Sequence, residues 1–205
     1  MSDSLKLFKY IYIDNKTEKT LFLLHGTGGS ENDFLFLDEM LGKKFNLVGL
    51  KGNVDEDGMN RFFRRLEVGV FDQESIKKET DNLKLFIETW KTIYTLKTEN
   101  MYVFGYSNGA NMLLATLFKH PELFRNLLLL HPMLPYGMEK GSLDLSSHTI
   151  FLSLGLYDQM ISQNESHQVV EILKSCKAKV ELKEYPSGHE ISHKEIEDVV
   201  AFLTS

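Results

Sequence analysis

The chain has 205 residues, 42% hydrophobic and 25% charged, and a formal net charge of −6. That length suits one domain with a sizeable core, expected to span residues 1–205, and the acidic balance gives no electrostatic basis for binding nucleic acid or an anionic membrane. No stretch reaches the ~18 apolar residues that span a bilayer, the opening MSDSLKLFKYIYIDN lacks a secretion signal's apolar core, and the lone Cys176 excludes an internal disulfide or cysteine metal cluster, so a cytoplasmic protein is expected.

The first predicted strand is LFKYIYID (7–14), which alternates as an edge strand does. TLFLLH (20–25) follows and is continuously apolar, the pattern of a strand buried on both faces of a parallel sheet. A Gly-rich loop, HGTGG, leads into a weak helix over 32–41 and then the strand NLVGL (46–50). Residues 51–73 form the longest irregular stretch and contain RFFRR. The helix over 75–97 sets Ile76, Leu83, Phe86, Ile87, Trp90 and Ile93 on one face. Then come the strand MYVFG (101–105), a helix over 108–119, and the strands NLLLLH (126–131) and TIFLSLG (149–155). A helix over 163–175 ends at Cys176, and the strand KVELKEY (179–185) and a helix over 192–203 complete the chain. Such alternation predicts a three-layer α/β fold with a mainly parallel sheet of about seven strands and helices on both faces.

In open parallel sheets, function gathers in loops at the carboxyl ends of strands. The loop after residue 105 reads GYSNG, which fits G-x-S-x-G. A strand that turns at once into a helix forces its central residue into a strained conformation, and side chains two residues to either side would collide. Ser107 is therefore the candidate nucleophile, and a plain helix cap with flexible glycines is the alternative. A serine hydroxyl needs a base, and the base needs a partner. His189, in the loop after the last strand, is the candidate base. The chain's other histidines sit at strand ends, before prolines or within helices, and read as structural. Asp158 follows the strand 149–155 and lies between serine and histidine in sequence, whereas its competitor Asp144 precedes that strand. Two backbone N–H groups, of Asn108 and of Thr27 in the Gly-rich loop, are the candidate oxyanion donors. A phosphate cradle would need G-K-[ST] or G-x-G-x-x-G, which the chain lacks.

Several of these motifs together, HGTGG, GYSNGAN, LHPMLP, GLYDQ and PSGHEIS, resemble the phospholipase/carboxylesterase family of the α/β-hydrolase superfamily, which includes the acyl-protein thioesterases. The segment MNRFFRRLEVGVFDQESI (59–76) resembles the small bacterial branch linked to quinone and hydroquinone resistance. The resemblance implies a Ser-His-Asp hydrolase without a cofactor or a metal, with Ser107, Asp158 and His189 in the triad and Thr27 and Asn108 at the oxyanion. One departure is that Gln159, Met160 and Ile161 follow Asp158 where the family usually has a proline.

A chain this short has no room for a large lid domain. The expected substrate is a small-molecule ester with a short acyl or aryl group, held in a shallow pocket. Phe62, Phe63 and Met133 are the expected walls, with Leu134, Tyr136 and Met138 beside them, and Arg61, Arg64 or Arg65 are available to an anionic group. A thioesterase or amidase with the same triad, or a catalytically silent receptor on the same fold, are the alternatives. The sequence leaves the oligomeric state open, a homodimer included.

Overall fold

The computed structural model describes residues 3–67 and 69–205. In chain order the strands are β1 (Tyr10–Ile13), β2 (Thr20–Leu24), β3 (Asn46–Leu50), β4 (Val54–Glu56), β5 (Met59–Arg61), β6 (Arg65–Glu67), β7 (Val70–Phe71), β8 (Met101–Tyr106), β9 (Asn126–Leu130), β10 (Thr149–Gly155) and β11 (Lys179–Tyr185). The helices are α1 (Leu37–Met40), α2 (Gln73–Tyr94), α3 (Asn108–Lys119), α4 (Gln163–Ser175) and α5 (His193–Thr204).

Seven strands pair in the order β1-β3-β2-β8-β9-β10-β11, and every pairing is parallel except β1 with β3. The two strands with alternating sequence, β1 and β11, are the edges. The continuously apolar ones lie inside, where both faces are covered: β2 and β3 are buried along their whole length. One face carries α2, α3 and α4 over a core that includes Phe22, Val48, Trp90, Met112 and Leu173. The other carries α1 and α5 over Leu21, Phe104, Phe151, Val199 and Leu203. This is the three-layer α/β-hydrolase arrangement. Among the described residues no helix is long and apolar enough to cross a membrane.

Three local expectations change. The strand predicted from residue 7 starts at Tyr10, because Phe8 turns inward to meet Phe86 edge-on and pack against Phe62. Of the helix expected over 32–41, only Leu37–Met40 is α-helical, and turns precede it. The stretch 51–73 is not irregular throughout: it holds two small hairpins, β4–β5 and β6–β7. Cys176 is buried at the end of α4.

Candidate active site

Strand β8 delivers Ser107, which turns the chain with φ 50° and ψ −113° and opens α3. A non-glycine residue in that region costs about 1–3 kcal/mol. Two glycines make the turn possible. A Cβ on Gly105 would stand 2.6 Å from the Gly109 carbonyl carbon and 2.7 Å from the Ala110 nitrogen, and one on Gly109 would press on the carbonyls of Leu24 and His25. Helix and strand thus touch backbone to backbone, which lifts the serine side chain above the sheet.

Strands β10 and β11 deliver the partners. His189 Nε2 lies 2.8 Å from Ser107 Oγ, and its Nδ1 lies 2.7 Å from Asp158 Oδ2. The other carboxylate oxygen, Oδ1, accepts the N–H groups of Met160 (2.8 Å) and Ile161 (3.0 Å). A proline at either position would remove one of these donors. Burial opposes the Asp158 charge, but the bonds from His189, Ile161 and Met160 outweigh it and hold the carboxyl below its ordinary pKa. Tyr106, next to the serine, donates its hydroxyl to the His189 carbonyl at 2.8 Å. Burial pushes that phenol up to about 12, so it stays a donor at neutral pH.

Sequence reasoning missed a layer behind these groups. His131 had read as structural, yet its buried ring brings Nδ1 to 3.4 Å from Asp158 Oδ2 and Nε2 to 3.3 Å from Glu195 Oε2. Glu195 is fully buried and also accepts the Ser153 hydroxyl. Burial works against a charged His131, but Glu195 and Asp158 prevail and raise its pKa above the ordinary imidazole value. The signal for His131 was its place at a strand's carboxyl end. Glu195 gave none, because S-x-x-E over 192–195 is fully explained as a capping box, which it also forms. His131, Asp158 and His189 could in principle hold a metal. However, the 2.7 Å contact is of hydrogen-bond length, while tetrahedral ligands at about 2.0–2.1 Å from zinc stand roughly 3.3 Å apart.

The other histidines are engaged elsewhere. His25 Nε2 accepts the Gly52 N–H at 3.0 Å, His120 meets Asp81, His148 meets the Pro121 carbonyl, and His167 and His193 pair with Glu184 and Glu197. Asp144 is exposed and accepts the Ser146 N–H.

Thr27, after β2, and Asn108, at the first position of α3, border the same cleft as Ser107 and His189. The hairpin β4–β5 clamps this corner. The Gly28 N–H donates to the Asn60 carbonyl (2.9 Å), Asn60 Nδ2 to the Gly29 carbonyl (2.8 Å), Arg61 Nη1 to Thr27 Oγ1 (2.6 Å), and the Phe62 N–H to Asn108 Oδ1 (2.7 Å).

The cleft is small, about 50 Å³. Met133 lines it, but Phe62 and Phe63 do not. Both are 0% exposed: Phe62 packs on Phe8 and His25, and Phe63 meets Phe71 edge-on. The chain passes here with its backbone toward the site and its rings in the core, where burial gains most. The aromatic wall is Phe71 instead, joined by Ile161. Leu134, Tyr136 and Met138 pack against the core. Arg61 and Arg65 reach the cleft, whereas Arg64 is exposed and lies 4.0 Å from Asp72. Larger hollows, about 710 and 350 Å³, are polar depressions beside Glu79 and beside Tyr94, and Ser107 lines neither.

Known proteins share this fold. Residues 9–205 match the family model described as Phospholipase/Carboxylesterase. The chain is 34% identical over 190 residues to MhqD of Bacillus subtilis (strain 168), covering 92% of this chain and 94% of that protein. The crystal structure of the Bacillus cereus carboxylesterase is similar with a TM-score of 0.89 and 32% identity, over 99% of both chains. The carboxylesterase from Mesorhizobium loti matches with a TM-score of 0.89 and 27% identity, over 97% of this chain and 95% of that one. The chain belongs to the phospholipase/carboxylesterase family.

Proposed function

We propose that the protein is a serine carboxylesterase that cleaves small esters, with short acyl or aryl groups, through an acyl-serine intermediate. As Ser107 Oγ attacks the ester carbonyl, His189 Nε2 takes its proton. Asp158, ionised, holds the Nδ1–H tautomer and stabilises the imidazolium. The carbonyl oxygen gains negative charge and meets the N–H groups of Thr27 and Asn108, the second at the positive end of α3. His189 then gives its proton to the departing alcohol. In the second half it deprotonates a water that attacks the acyl carbon, and Ser107 leaves as the hydroxyl.

One observation carries the reading: the continuous hydrogen-bonded run from Ser107 Oγ through His189 to Asp158, at 2.8 and 2.7 Å. The test is labelling with a fluorophosphonate, read as the mass of the intact adduct, on wild type, Ser107→Ala and His189→Ala. Adduct on wild type alone is expected. Equal labelling of wild type and Ser107→Ala would overturn the nucleophile assignment. Matched ester, thioester and anilide substrates, assayed in parallel, separate the leaving groups, and faster thioester turnover would make the protein a thioesterase.

A further inference from the structure

Two amide side chains at the cleft beside Ser107 have their oxygens already engaged. Asn108 Oδ1 is taken by the Phe62 N–H at 2.7 Å, and Asn111 Oδ1 by the Met133 N–H at 2.8 Å. A backbone donor at each oxygen fixes which way the amide points, so each side chain can present only its NH₂ end to a ligand. Asn108 is 2% exposed, and its Nδ2 has no hydrogen-bond partner among the described residues. Thr27 Oγ1 is likewise engaged, accepting from Arg61 Nη1.

The charges point the same way. Arg61 is 3% exposed, and its Nε faces the Phe63 carbonyl at 3.3 Å and Glu56 Oε2 at 3.5 Å. Arg65 Nε reaches that same Glu56 oxygen at 4.0 Å, and the Arg65 N–H donates to the other. Two guanidinium groups at one cleft therefore share one carboxylate and leave an excess positive charge. Asp158, the acid bonded to His189, has its charge directed at that imidazole and is almost fully buried. Phe71, Met133 and Ile161 supply apolar lining to the same cleft.

We propose that the substrate ester carries a carboxylate a few bonds from its carbonyl, as a hemiester of a small dicarboxylic acid does, and that Arg61 and Arg65 receive it. This rests on the serine esterase reading and narrows it to a substrate class. Arginine suits the task because its planar fork matches the two oxygens of a carboxylate. The cleft's small size keeps the linking chain short.

The test compares monoethyl succinate with the neutral ethyl pentanoate, a matched chain, by pH-stat in wild type and Arg65→Gln, with fluorophosphonate labelling of both proteins alongside. Arg65 is the residue to change first because it is half-buried, whereas Arg61 holds the oxyanion loop and its loss also threatens folding. The expected wild-type preference in kcat/KM is tenfold or more for the hemiester, shrinking as salt is raised, and the preference should fall at least fivefold in Arg65→Gln. Labelled protein with no hemiester preference, including one that turns over neither ester, overturns this proposal and leaves the esterase reading standing. A preference unchanged in Arg65→Gln and insensitive to salt overturns it too. Wild type that takes no label overturns the esterase reading, and this proposal with it.

Discussion

Glu195 is the residue whose replacement tests the buried layer most directly. It lies 3.3 Å from His131 Nε2, with both side chains fully buried. At an effective dielectric near 20, unit charges at that separation attract by about 5 kcal/mol. Glu195→Gln keeps the shape and the Ser153 contact but removes the countercharge. His131 can then shed its proton, which limits the damage, so the expected loss of stability at pH 6 is about 2–4 kcal/mol. The sign with pH follows from the raised His131 pKa. The pair's contribution is fully present below the unfolded imidazole value, about 6.5, and is lost as pH rises through the folded one. The difference between wild type and Glu195→Gln should therefore shrink once pH has risen through the folded His131 value. Urea unfolding read by Trp90, the chain's single tryptophan and a buried one, measures it. A loss below 1 kcal/mol at pH 6 would refute a charged His131.

Further changes probe the turn, the cleft and the acid. Gly105→Ala drives a methyl group into the backbone of α3 at 2.6 Å and should cost about 2–3 kcal/mol in chemical denaturation, and a change under 0.5 would contradict the close packing. Phe62→Ala should destabilise by about 3–5 kcal/mol as a core truncation, whereas Phe71→Ala should chiefly raise KM. The opposite pattern would restore Phe62 as a pocket wall. Asp158→Asn should lower kcat by about 10⁴, the scale seen when such an aspartate is replaced in a serine protease. Because the folded Asp158 pKa is lowered, its ionised form contributes stability above the ordinary value of about 3.9 and loses it as pH falls through the folded one. Acid unfolding of wild type and Asp158→Asn should accordingly converge at low pH.

The fold could be read from the sequence because its signals are local. Continuous apolar runs marked β2, β3, β8, β9 and β10 as inner strands, and helical periodicity marked α2 to α5. The Ser107, Asp158 and His189 positions were legible for the same reason, since each sits just past the carboxyl end of a recognisable strand. What could not be read depends on contacts between distant segments. RFFRR gives no periodic cue to which way its rings face, and only Phe8 and His25, more than 30 residues away, decide that Phe62 points inward. His131 and Glu195 are separated by 64 positions, and Glu195 already had a complete local explanation as a helix cap.

Strand order sets a ruler for the site. The serine rises from β8 and the aspartate from β10, with β9 as the single strand between them. Two ladder steps separate donor and acceptor strands by about 9.5 Å, a gap that one imidazole with its two hydrogen bonds can nearly close. Strand β9 must therefore stop short and turn away, and it does so at His131, whose φ is 49°. That gives the two dimensions of the site different tolerances. Lengthening β9 by a residue would leave the serine-to-aspartate distance alone and would displace His131 from the carboxylate. A second strand between β8 and β10 would widen the gap beyond any imidazole's reach, so the sheet can gain strands only at its edges.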